Sequence, residues 1–489
     1  MAILKKVAIF FVLLLPSFSS LYAQTFEDFL VQVNATPTDQ RQALVDSFMN
    51  TVTVLPLVEH DTLAHFLYQG NASTVTVPGD ANAWNISGSS MTLIGGTDLW
   101  YRTEVYESDA RLDYKFVLNG STWILDPGNP NTILGGFGPN SELSMPAYIP
   151  PPEIQFDPEI PHGTLRDTVF HSAHLGNSRT IRVYLPPHYH TSTDSFAMIL
   201  FHDGLEYVSL ANADNIMDYL IHNRDIEPII AVFVPPVNRN EEYAGSLQNQ
   251  FTDFIIEEVI PWVDSCFRTI PHPHKRATLG ASNAGNISLW LAMNHPGVFG
   301  NAAAQSSYIQ GAISDGFQDG PQLDLKLYLD LGTYDIPMLI PLVRNFIPIL
   351  QSRGYAYQYA EYHEGHSWGM WRAHIDDALE MFFPAEPTAV EPSKSAPDEF
   401  QLNQNFPNPF NSETRILFHL EKSSDVTMTI YNTLGQRVRT MIEARQPAGD
   451  KYVSWDGQDD SGRPVSSGLY LYSLKAENCI QFRKMIVLR

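Results

Sequence analysis

The sequence predicts an α/β fold with a mostly parallel sheet, flanked on either side by all-β sandwiches. Three observations carry that prediction. Between residues 163 and 384 short apolar runs alternate with longer amphipathic stretches, the pattern of strands crossing over through helices. From residue 63 to about 148 the hydrophobic period is two, broken by Gly and Asn turns, as in a sandwich of short antiparallel strands. The last 90 residues return to period two after a stretch rich in Pro, Glu, Ser and Ala.

The chain of 489 residues opens on a targeting segment. Lys5 and Lys6 precede an apolar core over 7–15, and small residues lead to Ala23. A core this short is a signal peptide rather than a membrane span, so 1–23 is expected to be removed. No later stretch is long and apolar enough to predict a transmembrane helix. The net charge of −24 argues against nucleic acid or anionic membrane as partners and suits a secreted protein kept soluble. Cys266 and Cys479 lie far apart in sequence; two cysteines make no disulfide scaffold, and both are expected free and partly buried.

Residues 24–60 read as helical. Phe26, Phe29, Leu30 and Val33 share one face, and 40–49 continues the pattern. The first sandwich spans 61–148, with strands expected at 65–68, 74–77, 99–105 and 112–118. A Pro-rich segment over 149–162 reads as a stiff linker. In 163–384 strands are expected at 181–185, 196–201, 229–234, 276–279, 302–305, 325–331 and 355–362. Helices are expected at 212–222, 247–263 and 338–353. A second linker covers 385–399, and the last β region covers 400–489.

The most informative residues are Gly280-Ala281-Ser282-Asn283-Ala284-Gly285. They join an expected strand to an expected helix, and a serine between small residues on such a turn is the nucleophile elbow of an α/β hydrolase. Acyl transfer also needs a base, an acid to orient it and donors for the oxyanion, in the chain order nucleophile, acid, histidine. Asp335 follows the strand at 325–331 in Gly332-Thr333-Tyr334-Asp335, and is preferred to Asp330 within that strand. Asn283 supplies one backbone donor to the oxyanion. The strand at 198–201 runs into His202-Asp203-Gly204-Leu205, where the second donor belongs. His202 and Asp203 themselves read as structural. Ala284 stands where glycine is usual and adds one methyl to a crowded turn. No His, Cys or Asp cluster has metal-ligand spacing, so neither metal nor organic cofactor is expected.

Several stretches carry a family resemblance. Tyr362-His363-Glu364-Gly365-His366-Ser367-Trp368-Gly369-Met370-Trp371-Arg372 resembles the His-bearing segment of the enterochelin-esterase and esterase D-like group, also found in carbohydrate esterase family 1. Further matches are Pro235-Pro236-Val237-Asn238-Arg239 with Glu241 and Tyr243, Glu257 with Val259-Ile260-Pro261-Trp262-Val263-Asp264, and Gln305-Ser306-Ser307. The resemblance implies that His366, rather than His363, is the base, and that Leu205 gives the second oxyanion N–H. Arg239, Trp368 and Trp371 become candidates for substrate contact; a surface ion pair with Glu241 is the plainer reading of Arg239, and packing that of the tryptophans. Val77-Pro78-Gly79-Asp80-Ala81-Asn82-Ala83-Trp84, Asp98-Leu99-Trp100, Leu112-Asp113-Tyr114-Lys115-Phe116 and Leu125-Asp126-Pro127 resemble the glycogen-binding-type sandwich CBM48, in which Trp84, Trp100 and Trp123 are either sugar platforms or packing residues. Phe406-Pro407-Asn408-Pro409-Phe410-Asn411, Leu434-Gly435-Gln436, Val453-Ser454-Trp455-Asp456-Gly457, Ser467-Gly468-Leu469-Tyr470 and the closing Lys484-Met485-Ile486-Val487-Leu488-Arg489 resemble the C-terminal sorting domain read by type IX secretion machinery.

The expectation is an α/β-hydrolase domain between two β sandwiches, exported through the periplasm to the cell surface or medium. The resemblance implies a serine esterase acting on acetyl or feruloyl groups of polysaccharide. A siderophore trilactone esterase and a non-catalytic surface glycan-binding protein are the alternatives.

Overall fold

The computed structural model describes residues 25–385 and 400–487, apart from 406, 409, 421, 433–435 and 477–478. The signal segment, the linker residues 386–399, Leu434-Gly435 and Leu488-Arg489 therefore lie outside the described residues. The chain divides into two compact units, 1–387 and 388–489.

The centre of the first unit is a sheet whose strand order is Thr164–Ser172, Asn177–Leu185, Ile229–Val234, Ala197–His202, Arg276–Ala281, Asn301–Gln305, Lys326–Tyr334 and Ala356–Gly365. The first two strands are antiparallel to their neighbours and the remaining six are mutually parallel. Every residue of Ala197–His202, Ile229–Val234, Arg276–Ala281 and Asn301–Gln305 is buried, because helices cover both faces of a parallel sheet. One face packs on the helices Asn283–Asn294, Gly311–Asp319 and Ile340–Arg353 through Ile287, Phe317 and Phe346. The other packs on Ala213–Asn223 and Ile375–Phe382 through Ile216, Leu220 and Leu379. The stretch expected as one helix over 247–263 is two α segments joined by a six-residue π segment, Phe254–Val259.

The N-terminal region differs from a closed sandwich. Helices Phe26–Ala35 and Arg41–Met49 bury Phe26, Phe29 and Phe48 against Leu67 and Leu99. Strands Leu57–Glu59, Leu63–Gln69, Leu99–Val105 and Thr92–Leu93 form one sheet, and Val75–Thr76, Phe116–Leu118 and Thr122–Ile124 another. The strand expected over 112–118 breaks at Lys115, whose N–H donates to the Pro78 carbonyl. Its first half, Arg111–Tyr114, joins the hydrolase sheet instead: Arg111 pairs with Glu364, and Gly138–Ser144 and Thr132–Gly135 extend the same sheet to eleven strands.

The Pro-rich segment 149–162 is not a free linker. Ile154 is buried in the core beside Tyr184, its carbonyl accepts from Asn212 and Asn215, and His162 contacts Asp218 at 2.9 Å. Cys266 is exposed rather than partly buried, being the last residue of a helix with its side chain on the outer face. The side chain of Cys479 lies outside the described residues.

In the second unit two antiparallel sheets share one core. Phe400–Leu402, Thr414–Leu420 and Gly449–Trp455 form one, and Arg437–Gln446, Ser424–Asn432, Gly468–Ala476 and Cys479–Val487 the other. Ile416 and Phe418 meet Met428, Ile430 and Tyr472 across it, with Trp455 fully buried. Among the described residues no helix is long and apolar enough to cross a membrane.

Candidate active site

The carboxyl ends of the parallel strands, where open α/β sheets bind ligands, bring the sequence-predicted residues together. Ser282 follows the strand Arg276–Ala281 and caps the helix Asn283–Asn294 with φ 57° and ψ −123°. A serine at positive φ is strained and persists only where its surroundings over-determine it. Here the Ser282 N–H donates to the Gln305 carbonyl at 2.8 Å. The Ser282 carbonyl accepts from the Tyr308 N–H at 3.2 Å and the Ser307 hydroxyl at 3.3 Å. Gln305 is itself held by Asp330, Tyr207 and the Trp371 carbonyl.

The alanine in the elbow has a clear place. Ala284 is fully buried within the helix and absent from the positive-φ residues, so its position asks nothing of glycine. The crowding falls on Gly280, where a Cβ would lie 2.5 Å from both the Cβ and the carbonyl of Ala284.

Asp335, just beyond the strand Lys326–Tyr334, presents Oδ1 to His366 Nδ1 at 2.8 Å. Its side chain is fully buried and that of His366 is 17% exposed. Oδ1 also accepts from the Ile336 N–H, while Oδ2 is buried without a donor among the described residues. His366 stands edge-on to Trp371, ring centroids 5.0 Å apart, and Trp371 in turn packs on Trp368. His363 turns away to Asp109 at 2.7 Å. Asp330 lies buried in its strand, bonded to Gln305 and the Ser306 N–H, and burial pushes its carboxyl up to about 7.

The loop after Ala197–His202 begins the short helix Leu205–Ser209. Gly204 has φ 27°, and a Cβ there would lie 2.5 Å from the Pro235 nitrogen. His202 is buried against Thr278 at 2.9 Å, and burial pushes it down to about 3. Among the described residues the Leu205 and Asn283 N–H groups donate to no acceptor, leaving both available at helix starts. Arg239 pairs with Asp203 rather than Glu241, whose carboxylate accepts from Ser246.

Ser282 and His366 line one cavity of about 740 Å³ with Asp203, Glu206, Arg239, Ile336, Ser367, Trp368 and Trp371. Trp371 therefore packs on His366, Trp368 packs on Trp371, and both line the cavity. The Trp371 indole N–H has no acceptor among the described residues.

The opposite wall was not legible as part of this site. Asp80, Trp84, Asp113, Lys115, Trp123, Phe137 and Asn140 come from the N-terminal region. Trp84 and Trp123 stack at 6.4 Å, and Phe137 projects fully exposed from the hairpin tip between Thr132–Gly135 and Gly138–Ser144. Trp100, the third candidate platform, is buried in the β core instead. Phe137 directly after Gly135-Gly136 was the available sequence signal. Burial, then the neighbouring Asp113, pushes Asp80 up to about 8.

Residues 172–382 match the family described as putative esterase, and 405–479 match the FlgD Ig-like domain. An uncharacterized protein, YjcH, of Bacillus subtilis is 25% identical over 233 residues, covering 45% of this chain and 97% of that protein. The endo-1,4-beta-xylanase/feruloyl esterase of Xylanibacter ruminicola is 26% identical over 200 residues, covering 38% of this chain and 27% of that protein. The enterobactin esterase of Shigella flexneri shares the fold, with a TM-score of 0.58 at 19% identity over 69% of this chain and 97% of that one. The chain is a carboxylic ester hydrolase.

Proposed function

We propose that the protein is a secreted serine esterase that removes acetyl or feruloyl groups from polysaccharide. The observation that carries the mechanism is the 2.8 Å contact of buried Asp335 with His366 on the cavity that Ser282 lines. Asp335 holds the imidazole with Nδ1 protonated, so that Nε2 is the basic nitrogen. His366 Nε2 takes the Ser282 proton as Oγ bonds to the ester carbonyl. The carbonyl oxygen, now negative, meets the N–H groups of Asn283 and Leu205. The C–O bond to the alcohol breaks, the alcohol leaves with the proton from His366, and water repeats the sequence on the acyl-enzyme.

The cavity lining supports a neutral carbohydrate-linked ester. Asp203 is paired with Arg239 and Asp113 with Arg111, and burial pushes Asp80 up to about 8, so the lining holds little net charge and no surplus cation for an anionic ferric catecholate. Trp84, Trp123 and Phe137 offer ring faces at the rim with Lys115 and Asn140 beside them. Aromatic faces with polar neighbours suit sugar and phenolic rings. The siderophore trilactone reading rests on the fold shared with the Shigella flexneri protein, which extends to the N-terminal region.

Purified residues 24–384 and their Ser282→Ala variant, assayed on acetylated xylan, methyl ferulate and a catecholate trilactone, test this. Turnover of the trilactone alone replaces the substrate assignment. Absence of any turnover, with no fluorophosphonate labelling of Ser282, overturns the mechanism. The export route, through the signal segment and a type IX sorting domain, is tested by fractionation and N-terminal sequencing: mature protein starting at Gln24 in the medium or at the surface is expected, and an uncleaved intracellular product refutes it.

A further inference from the structure

We infer that Arg111, from the N-terminal β region, is a positioning residue of the catalytic centre, holding the loop that carries His366 through a hydrogen bond to Ser367. The inference rests on the reading of His366 as the base. Arg111 pairs with Glu364 at the point where the N-terminal strands join the hydrolase sheet, two residues before His366. Its side chain is only 1% exposed. Nη1 donates to Ser367 Oγ at 3.1 Å, Nε and Nη2 donate to Glu142 Oε2 at 3.0 and 2.7 Å, and Nη2 lies 2.7 Å from Asp113 Oδ1. Ser367 Oγ also accepts the Met370 N–H that starts the helix Trp368–Ala373. One hydroxyl thus ties the guanidinium to both the residue after His366 and the helix that presents Trp371 to its ring.

The fit of the loop is close on both sides. A Cβ on Gly369 would overlap the Arg111 guanidinium, and a Cβ on Gly365 would overlap the Asp80 carboxylate. Gly365, before His366, and Gly369, three residues after it, are therefore both seated against side chains of the N-terminal region. The acid is approached from the same strip. Tyr334, next to Asp335, donates to Glu107 at 2.6 Å, and Tyr106 packs on its ring at 5.9 Å. The guanidinium is rigid, planar and buried among acceptors, so its reach is set within tenths of an ångström, where an ammonium on a flexible stem would leave at least one partner unmet. A base displaced by about 1 Å costs on the order of a hundredfold in rate.

The test uses the full chain with p-nitrophenyl acetate as probe. Ser367→Ala and Arg111→Lys are expected to lower kcat by about tenfold to a hundredfold, to leave KM essentially unchanged, and to keep the wild-type melting profile. Ser367→Thr, which keeps the hydroxyl, is expected to recover most of the lost kcat. A role confined to stability shifts the melting curve and leaves kcat of the folded fraction at the wild-type value, which overturns the inference. So does a rise in KM with kcat preserved. His366→Ala separates the two levels. If it stays active, the reading of the base fails; if it is inactive while folded Ser367→Ala and Arg111→Lys turn over like wild type, the positioning role alone fails.

Discussion

Arg239 clasps Asp203 through two parallel hydrogen bonds of 2.7 Å, and its Nη2 also reaches the carbonyl of Ala281 at 3.0 Å. Asp203 is 3% exposed and precedes Gly204-Leu205, while Ala281 precedes Ser282. One guanidinium therefore joins the loop with the proposed Leu205 donor to the turn that carries Ser282. Although Arg239 lines the cavity, most of its fork is spent on the protein itself.

Replacing that fork has a defined consequence. Arg239→Lys keeps the charge opposite Asp203 but loses bidentate geometry. We expect kcat/KM for p-nitrophenyl acetate to fall about tenfold, as for a shift of about 1 Å or less in the reacting groups, with the fold retained. Unaltered kcat/KM in steady-state assays would remove Arg239 from the site's support.

Gly280 bears the crowding of the elbow. Gly280→Ala directs a methyl at the Ala284 Cβ and carbonyl, an overpacking expected to cost about 1–3 kcal/mol. Adding Ala284→Gly removes one of the two obstructions and restores part of that loss. Urea denaturation of both variants checks this, and equal stability of the single and double variants contradicts it.

Asp335→Asn preserves shape but presents an amide where Nδ1–H needs an anion, favouring the wrong tautomer of His366. The expected loss is about 10³–10⁴ in kcat with KM little changed. Stopped assays against the fluorophosphonate-titrated enzyme concentration decide it.

The aromatic rim is tested by substrate size. Trp123→Ala and Phe137→Ala are expected to raise KM severalfold for feruloylated oligosaccharide, because each removes a ring face worth about 1 kcal/mol. Turnover of p-nitrophenyl acetate, too small to span the cavity, stays near wild type. Equal losses on both substrates contradict a rim role.

Stability falls in acid through His202. Burial lowers its folded pKa to about 3 from an unfolded value near 6.5. Between these values the unfolded chain binds the extra proton and the folded chain does not, so stability rises with pH across this window and is lost as pH falls toward 3. His202→Phe flattens that contribution, read as the dependence of the thermal midpoint on pH between about 3.5 and 6.5. An identical slope in wild type and variant refutes it.

The strands and helices of the hydrolase core were legible because their period comes from local burial. The run at 229–234 is a strand over those same residues, and 276–279 lies within Arg276–Ala281. The order Ser282, Asp335, His366 was legible because chain order follows strand order in this fold. In the structure Asp335 contacts His366 and Ser282 sits at positive φ. The stretch 112–118 was misread as one strand because periodicity reports faces, not partners. Lys115 sits where the chain passes between two sheets, and alternation looks the same on either side of such a crossing.

The sequence by itself determined the elbow, the candidate acid and base, and the alternation that builds the sheet, all properties of residues near one another in the chain. Only the tertiary structure decided that Arg111 reaches Ser367, 256 residues away, and that Trp84, Trp123 and Phe137 line one cavity with Ser282. The physical reason is that hydrogen bonds and cavity walls are set by sheet pairing between distant segments. The single pair Arg111–Glu364 makes the N-terminal strands a wall of the esterase site.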